Sequence, residues 1–187
     1  MTPECPRLTE AFLNSPVVSK NGYPYFVNPI SDGIPFVDKE LLDEVTDAIL
    51  SVSEMDCDVI LAPEAMGIPL AVMMTSRTGI PFSVIRKRNY GLPGEICLDQ
   101  TTGYSRSPMY INGVSAGDRV MIVDDVISTG GTLSAIIRAL RGAGAVVTEV
   151  TAVFSKCEDV AGMSEKLGVR INHVLSVSSK DGRPHLL

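Results

Sequence analysis

The chain has 187 residues, 45% hydrophobic and 20% charged, with a formal net charge of −6. That size and balance suit one globular domain with a sizeable core, and the acidic charge excludes a global basic field for holding nucleic acid. No apolar run approaches the ~18–20 residues that cross a bilayer, the N-terminal MTPECPRLTEAF has no apolar leader segment, and Cys5, Cys57, Cys97 and Cys157 form no CxxC pair, so isolated thiols in a reducing cytoplasm are expected rather than a zinc or redox site.

Residues 15–37, SPVVSKNGYPYFVNPISDGIPFV, hold four prolines and two glycines among aromatics. They are expected to be irregular or short-stranded, and Tyr23, Tyr25, Phe26 and Phe36 need packing partners. Asp38 is placed to cap a helix through DKELLDEVTDAILSV, with Leu42, Val45, Ile49 and Val52 on one face. Alternation then begins. DVILA (58–62) is a buried strand, IPLAVMMTSRTG (68–79) a helix and PFSVIRK (81–87) a strand. RVMIV (119–123) is a strand and TLSAIIRALRGAG (132–144) a helix stopped by glycines. VVTEVTAVF (146–154), EDVAGMSEKLG (158–168) and RINHVLSVS (170–178) complete the series as strand, helix and strand. This order predicts an α/β fold, a central mostly parallel sheet flanked by helices. Residues 88–118 break the pattern with five glycines and two prolines. They are expected to form a mobile functional loop, closed by a short hairpin near PMYI and NGVSAGD.

Ligands of open parallel sheets bind beyond the carboxyl ends of the strands. Three segments leave such ends: PEAMG (63–67), the loop after Lys87, and DDVISTGGT (124–132). In the last, Ser128, Thr129, Gly130, Gly131 and Thr132 run straight into a helix. Their backbone N–H groups, the hydroxyls and the helix dipole suit a phosphate. The lysine of GxxxxGK[ST] is missing, which argues against a nucleoside triphosphatase, and GxGxxG is absent too. Asp124 and Asp125 would repel phosphate but accept hydrogen bonds from paired sugar hydroxyls and attract Mg2+. A ligand carrying both a phosphate and a free ribose diol fits the whole stretch.

VMIVDDVISTGGT (120–132) resembles the phosphoribosyl diphosphate (PRPP) signature of type I phosphoribosyltransferases. The resemblance extends over most of the chain and implies that fold as a single domain, with a small N-terminal hood over 1–37 and a flexible catalytic loop with its hairpin over 88–118. It assigns the ribose hydroxyls to Asp124 and Asp125 and the 5′-phosphate to residues 128–132. It assigns the diphosphate to a loop at Glu64, Ala65, Met66 and Gly67, often with a strained or cis peptide, and to the basic run Arg86, Lys87 and Arg88. Met66 stands where the family commonly has arginine. Tyr104 matches a tyrosine at the tip of the catalytic loop, and Gly103 replaces the adenine branch's glutamate. Phe26 is the implied stacking partner of a purine. Lys156, at the end of the strand after the phosphate helix, is the implied reader of a 6-oxo group, although Ser128 replaces the aspartate usual in hypoxanthine-guanine enzymes.

This combination resembles the archaeal hypoxanthine/guanine phosphoribosyltransferases, whose sequences are close to the adenine branch, and YGLPGE and YINGVSAGDRV resemble that archaeal group in particular. The resemblance implies purine salvage: transfer of the phosphoribosyl group to N9 of hypoxanthine or guanine, giving IMP or GMP. It further implies Mg2+ held by Asp124 and Asp125 largely through PRPP and water, a cytoplasmic homodimer, and neither a nucleic acid nor a membrane as partner. The alternatives are an adenine enzyme and a non-catalytic PRPP-binding regulator. No nucleophile is required, and His173 and His185 receive no role.

Overall fold

A computed structural model describes residues 3–20, 22–34, 36–101, 106–180 and 182–187. In chain order the elements are α1 (Pro6–Leu13), β1 (Val17–Lys20), β2 (Tyr23–Phe26), α2 (Lys39–Val52), β3 (Val59–Pro63), α3 (Ile68–Thr78), β4 (Phe82–Ile85), β5 (Ile96–Thr101), β6 (Arg106–Ile111), β7 (Arg119–Ile127), α4 (Gly131–Gly142), β8 (Val146–Ser155), α5 (Val160–Leu167), β9 (Arg170–Lys180) and β10 (Arg183–Leu186). A six-stranded sheet runs β10-β9-β8-β7-β3-β4; all neighbours pair parallel except β10, which closes the edge antiparallel to β9. β7, which carries the two acids, is therefore interior.

Both faces of this sheet are covered, and the strand pleat divides the core. Ile60, Ala62, Met121 and Val123 pack with α1, α2, α3 and Phe26. Leu61, Val120 and Ile122 pack with α4 and with Leu98, Met109 and Ile111 of the β5-β6 hairpin. Asp38 caps α2 as expected, its carboxylate accepting the Leu41 N–H at 2.8 Å. Gly79 ends α3 in the left-handed conformation.

Several expectations change. β7 runs through both acids to Ile127 instead of stopping at Val123, because β8 continues the ladder through Asp124↔Ala152, Val126↔Phe154 and Ile127↔Ser155. Strand propensity is low for aspartate, but pairing with β8 on one side overrides it, β3 having left the ladder after Ile122. α1 was unexpected, since its signal is little more than Leu8 and Phe12, both fully buried. The segment after Lys87 is not structureless: Ile96–Thr101 and Arg106–Ile111 form the hairpin, while NGVSAGD turns away from it into β7. Residues 15–37 contain the β1-β2 hairpin. Phe26 is buried there and Tyr25 half-buried, but Phe36 is 74% exposed and has no core to pack on. The Tyr23 side chain lies outside the described residues.

Candidate active site

β7 delivers Asp124 and Asp125 to the wall of a cavity of about 530 Å3. The Asp124 Oδ1 accepts the Asp125 backbone N–H at 2.9 Å. Burial pushes the Asp124 carboxyl well above the usual carboxylate range, and the neighbouring Asp125 charge adds to the shift. Burial also raises Asp125, but bonds from Ser31, Asp124 and the Val126 N–H oppose the rise. The two carboxyls are half-buried and close together, and the donors around Asp125 favour leaving the charge on that residue.

Those donors come from the N-terminal segment. Asn28 Nδ2 donates to Asp125 Oδ2 at 2.9 Å, and Ser31 Oγ donates to the same oxygen at 2.5 Å. Asn28 is itself held, its Oδ1 accepting the N–H of Ile30 at 2.9 Å. Asp32 Oδ2 accepts both the Asn28 N–H and the Tyr25 hydroxyl at 2.7 Å. Burial and the bond to Asp32 push the Tyr25 hydroxyl well up, so it stays a donor.

On the far side of the acids, Ser128, Thr129, Gly130, Gly131 and Thr132 line the same cavity and open α4. Gly130 is the N-cap, with φ 74°, and no side chain caps the helix. A left-handed backbone favours glycine here, and a Cβ would also meet Met163 Sδ at 2.9 Å. The first-turn N–H groups of α4 add to the helix dipole to make an anion site.

Phe26 and Lys156 form the third wall. The Phe26 ring is 2% exposed, edge-on to Phe12 and Phe154 at 5.1 and 5.5 Å. The Lys156 ammonium lies 4.5 Å from its centroid. The Lys156 N–H, bonded to the Ile127 carbonyl at 2.8 Å, ties the end of β8 to the end of β7.

The loop after β3 supplies the remaining edge. Glu64 and Met66 line the cavity, and the Glu64–Ala65 peptide is cis. Gly67 is buried against β7. A Cβ there would stand 2.7 Å from the Val123 carbonyl oxygen and 3.2 Å from Ala62 Cβ, so only glycine lets the loop lie this close. Arg86 does not line the cavity; it pairs with Glu64 at 3.3 Å, and its backbone bonds Tyr110 in both directions, pinning the hairpin to the end of β4. Lys87 and Arg88 are exposed and Ala65 is exposed on the loop. Tyr104 lies outside the described residues.

Thus the cavity gathers Phe26, Glu64, Met66, the acid pair, residues 128–132 and Lys156, and leaves the expected basic run outside its lining. Asn28, Ser31 and Tyr25 were not expected from sequence. Their one local signal is the polar cluster in FVNPISDG, which reads as turn chemistry. Among the described residues, no three His, Cys, Asp or Glu side chains assemble as a metal cage.

Residues 38–171 match the phosphoribosyl transferase domain model. The chain is 45% identical over 176 residues to the hypoxanthine/guanine phosphoribosyltransferase of Methanohalophilus mahii, covering 94% of this chain and 92% of the relative. It is 48% identical over 177 residues to the protein of that name from Methanothermobacter thermautotrophicus, covering 95% and 92%. Among solved structures it resembles adenine phosphoribosyltransferase from Thermoanaerobacter pseudethanolicus, with a TM-score of 0.74 at 23% identity over 90% of this chain and 99% of that one. The enzyme of Trypanosoma brucei, solved with AMP, pyrophosphate and ribose-5-phosphate, gives a TM-score of 0.71 at 19% identity over 91% and 79%. At such identity the solved structures speak for the fold alone.

Proposed function

The chain belongs to the phosphoribosyl transferase family, and from that premise we propose that it transfers the phosphoribosyl group of PRPP to N9 of hypoxanthine or guanine, giving IMP or GMP and diphosphate. One observation carries this reading: a single cavity joins the acid pair, the uncapped start of α4 and the Lys156 ammonium. The first suits a ribose diol and the second a 5′-phosphate. The third can only donate, which fits a 6-oxo acceptor and not a 6-amino donor. The names of relatives at 45% and 48% identity point the same way.

In this reading Asp124 and Asp125 accept from the 2′- and 3′-hydroxyls, and residues 128–132 hold the 5′-phosphate. The loop Glu64–Gly67 receives the diphosphate, with Arg86, Lys87 and Arg88 at its rim. Because Met66 brings no charge and Arg86 is shared with Glu64, the exposed Lys87 and Arg88 are the cations left to reach it. As the C1′–oxygen bond to diphosphate breaks and the bond to N9 forms, positive charge builds on the ribose ring beside the Asp125 carboxylate. Phe26 offers its face to the base once Lys156 swings toward O6, and the family resemblance gives Tyr104 a part in excluding water from the reaction.

Mg2+ is the implied cofactor. Among the described residues no third ligand joins Asp124 and Asp125 in a metal cage, which fits an ion held mainly by PRPP and water through that pair. When bound, it offsets charge on the leaving diphosphate. We also read residues 1–187 as one domain acting as a cytoplasmic homodimer, by analogy with the family. No helix among the described residues is long and apolar enough to cross a membrane.

The test is incubation with PRPP and Mg2+ and, in turn, hypoxanthine, guanine, xanthine, adenine and orotate. IMP and GMP are the expected products. Turnover of adenine alone would assign the adenine reaction instead. PRPP binding without product from any base would make the protein a regulator.

A further inference from the structure

We propose that Asn28 and Ser31 are positioning residues for the acid pair: reaching in from the N-terminal segment, they fix the Asp125 carboxylate in the orientation that receives the ribose, so PRPP binding requires that segment in place. The inference rests on the reading of Asp125 as a diol acceptor.

Both donors converge on one oxygen, Asp125 Oδ2, from a segment 97 and 94 positions away in sequence. The Asn28 amide cannot be turned the other way round. Its Oδ1 already accepts the N–H of Ile30 and, at 3.3 Å, of Ser31, so Nδ2 must face Asp125. The Asn28 side chain is locked by burial at 2% exposure, and its backbone N–H is held by Asp32. Each layer therefore removes freedom from the next, down to the carboxylate. A half-buried acceptor that takes two charge-assisted bonds on one oxygen has lost its rotamer choice before any ligand arrives, which is the usual way a binding constellation is preorganised. Tyr25, held by the same Asp32, lines the cavity, so the segment that orients the ribose acid also forms part of the wall beside it.

The experiment compares wild type with Ser31→Ala, Ser31→Thr and Asn28→Asp as full-length proteins. PRPP affinity is measured directly by calorimetry, and KM for each substrate with the other saturating. Asn28→Asp keeps an oxygen toward the Ile30 N–H but turns an acceptor toward Asp125. Ser31→Ala should weaken PRPP binding roughly 10-fold and Asn28→Asp roughly 100-fold, the loss expected for a charge-assisted hydrogen bond and for its replacement by a repulsive contact. Ser31→Thr should restore affinity, and KM for the base should stay near wild type throughout. If Asn28→Asp does not fold, the Ser31 pair decides. Wild-type PRPP affinity in Ser31→Ala and Asn28→Asp would overturn the proposal. So would a fall in melting temperature with PRPP and base KM rising together, since that describes a merely structural anchor. A wild-type protein that binds no PRPP would instead overturn the underlying assignment of Asp125.

Discussion

The Lys156 ammonium stands 4.5 Å from the centre of the Phe26 ring, so the two residues expected to recognise a base meet each other on one wall of the cavity. A purine cannot stack on that face while the ammonium covers it. The lysine must leave the ring to reach O6, trading a cation–π contact for a hydrogen bond. The same movement would uncover the stacking surface.

Lys156→Met, which keeps the apolar stem and removes the donor, should lower kcat/KM for hypoxanthine roughly 10- to 100-fold, because the oxo group would lose its charged donor. PRPP affinity should be unchanged. Steady-state kinetics with each substrate varied checks this. An equal loss for both substrates would place Lys156 outside base recognition.

The raised Asp124 carboxyl predicts a trade between stability and binding. A group whose folded-state pKa exceeds its unfolded value binds more protons when folded. Its stabilising contribution is therefore complete below the ordinary carboxylate range and is lost as pH rises through the folded-state value. Asp124→Asn should accordingly be more thermostable than wild type at pH 8 in metal-free buffer, with the difference closing toward pH 4. It should also bind PRPP markedly more weakly. Melting temperatures across that range, with calorimetry for PRPP, test both halves.

Gly67→Ala should destabilise the fold by about 1–3 kcal/mol, the usual cost of overpacking a tight contact. The added methyl meets backbone, the Val123 carbonyl oxygen at 2.7 Å, and cannot be relieved by a rotamer change. Because the displaced loop carries Glu64 and Met66, KM for PRPP should rise as well. Urea unfolding and kinetics on the same preparation would reveal either effect missing.

Glu149 predicts the reverse pattern. Only 2% exposed, its carboxylate accepts the Met55 N–H at 2.8 Å, the Glu54 N–H at 3.2 Å and Asn172 Nδ2 at 2.9 Å, fastening the connection after α2 to β8 and β9. Glu149→Ala should cost about 2–4 kcal/mol by removing a buried carboxylate that takes three hydrogen bonds. Below its melting temperature, its kinetics should match wild type. Denaturant unfolding and KM for PRPP check the separation.

The sequence by itself determined the parallel sheet, the α2 cap at Asp38, the phosphate loop into α4 and the aspartate pair. Each is written in contiguous residues: apolar runs of strand length, a helical period, a capping acid, glycines at a strand-to-helix turn. Local backbone preferences and hydrophobic burial act over a few positions, and a single chain displays them directly. Only the tertiary structure decided that β7 carries the acids inside its ladder, that Arg86 spends its charge on Glu64, and that Lys156 covers Phe26. It also decided that Asn28 and Ser31 reach Asp125, although their own neighbourhood reads as nothing more than a turn. These are encounters between side chains from distant segments. They are fixed by how the N-terminal segment and the strand ends converge, and a hydrogen bond across ~100 positions leaves no periodic trace in the residues that make it.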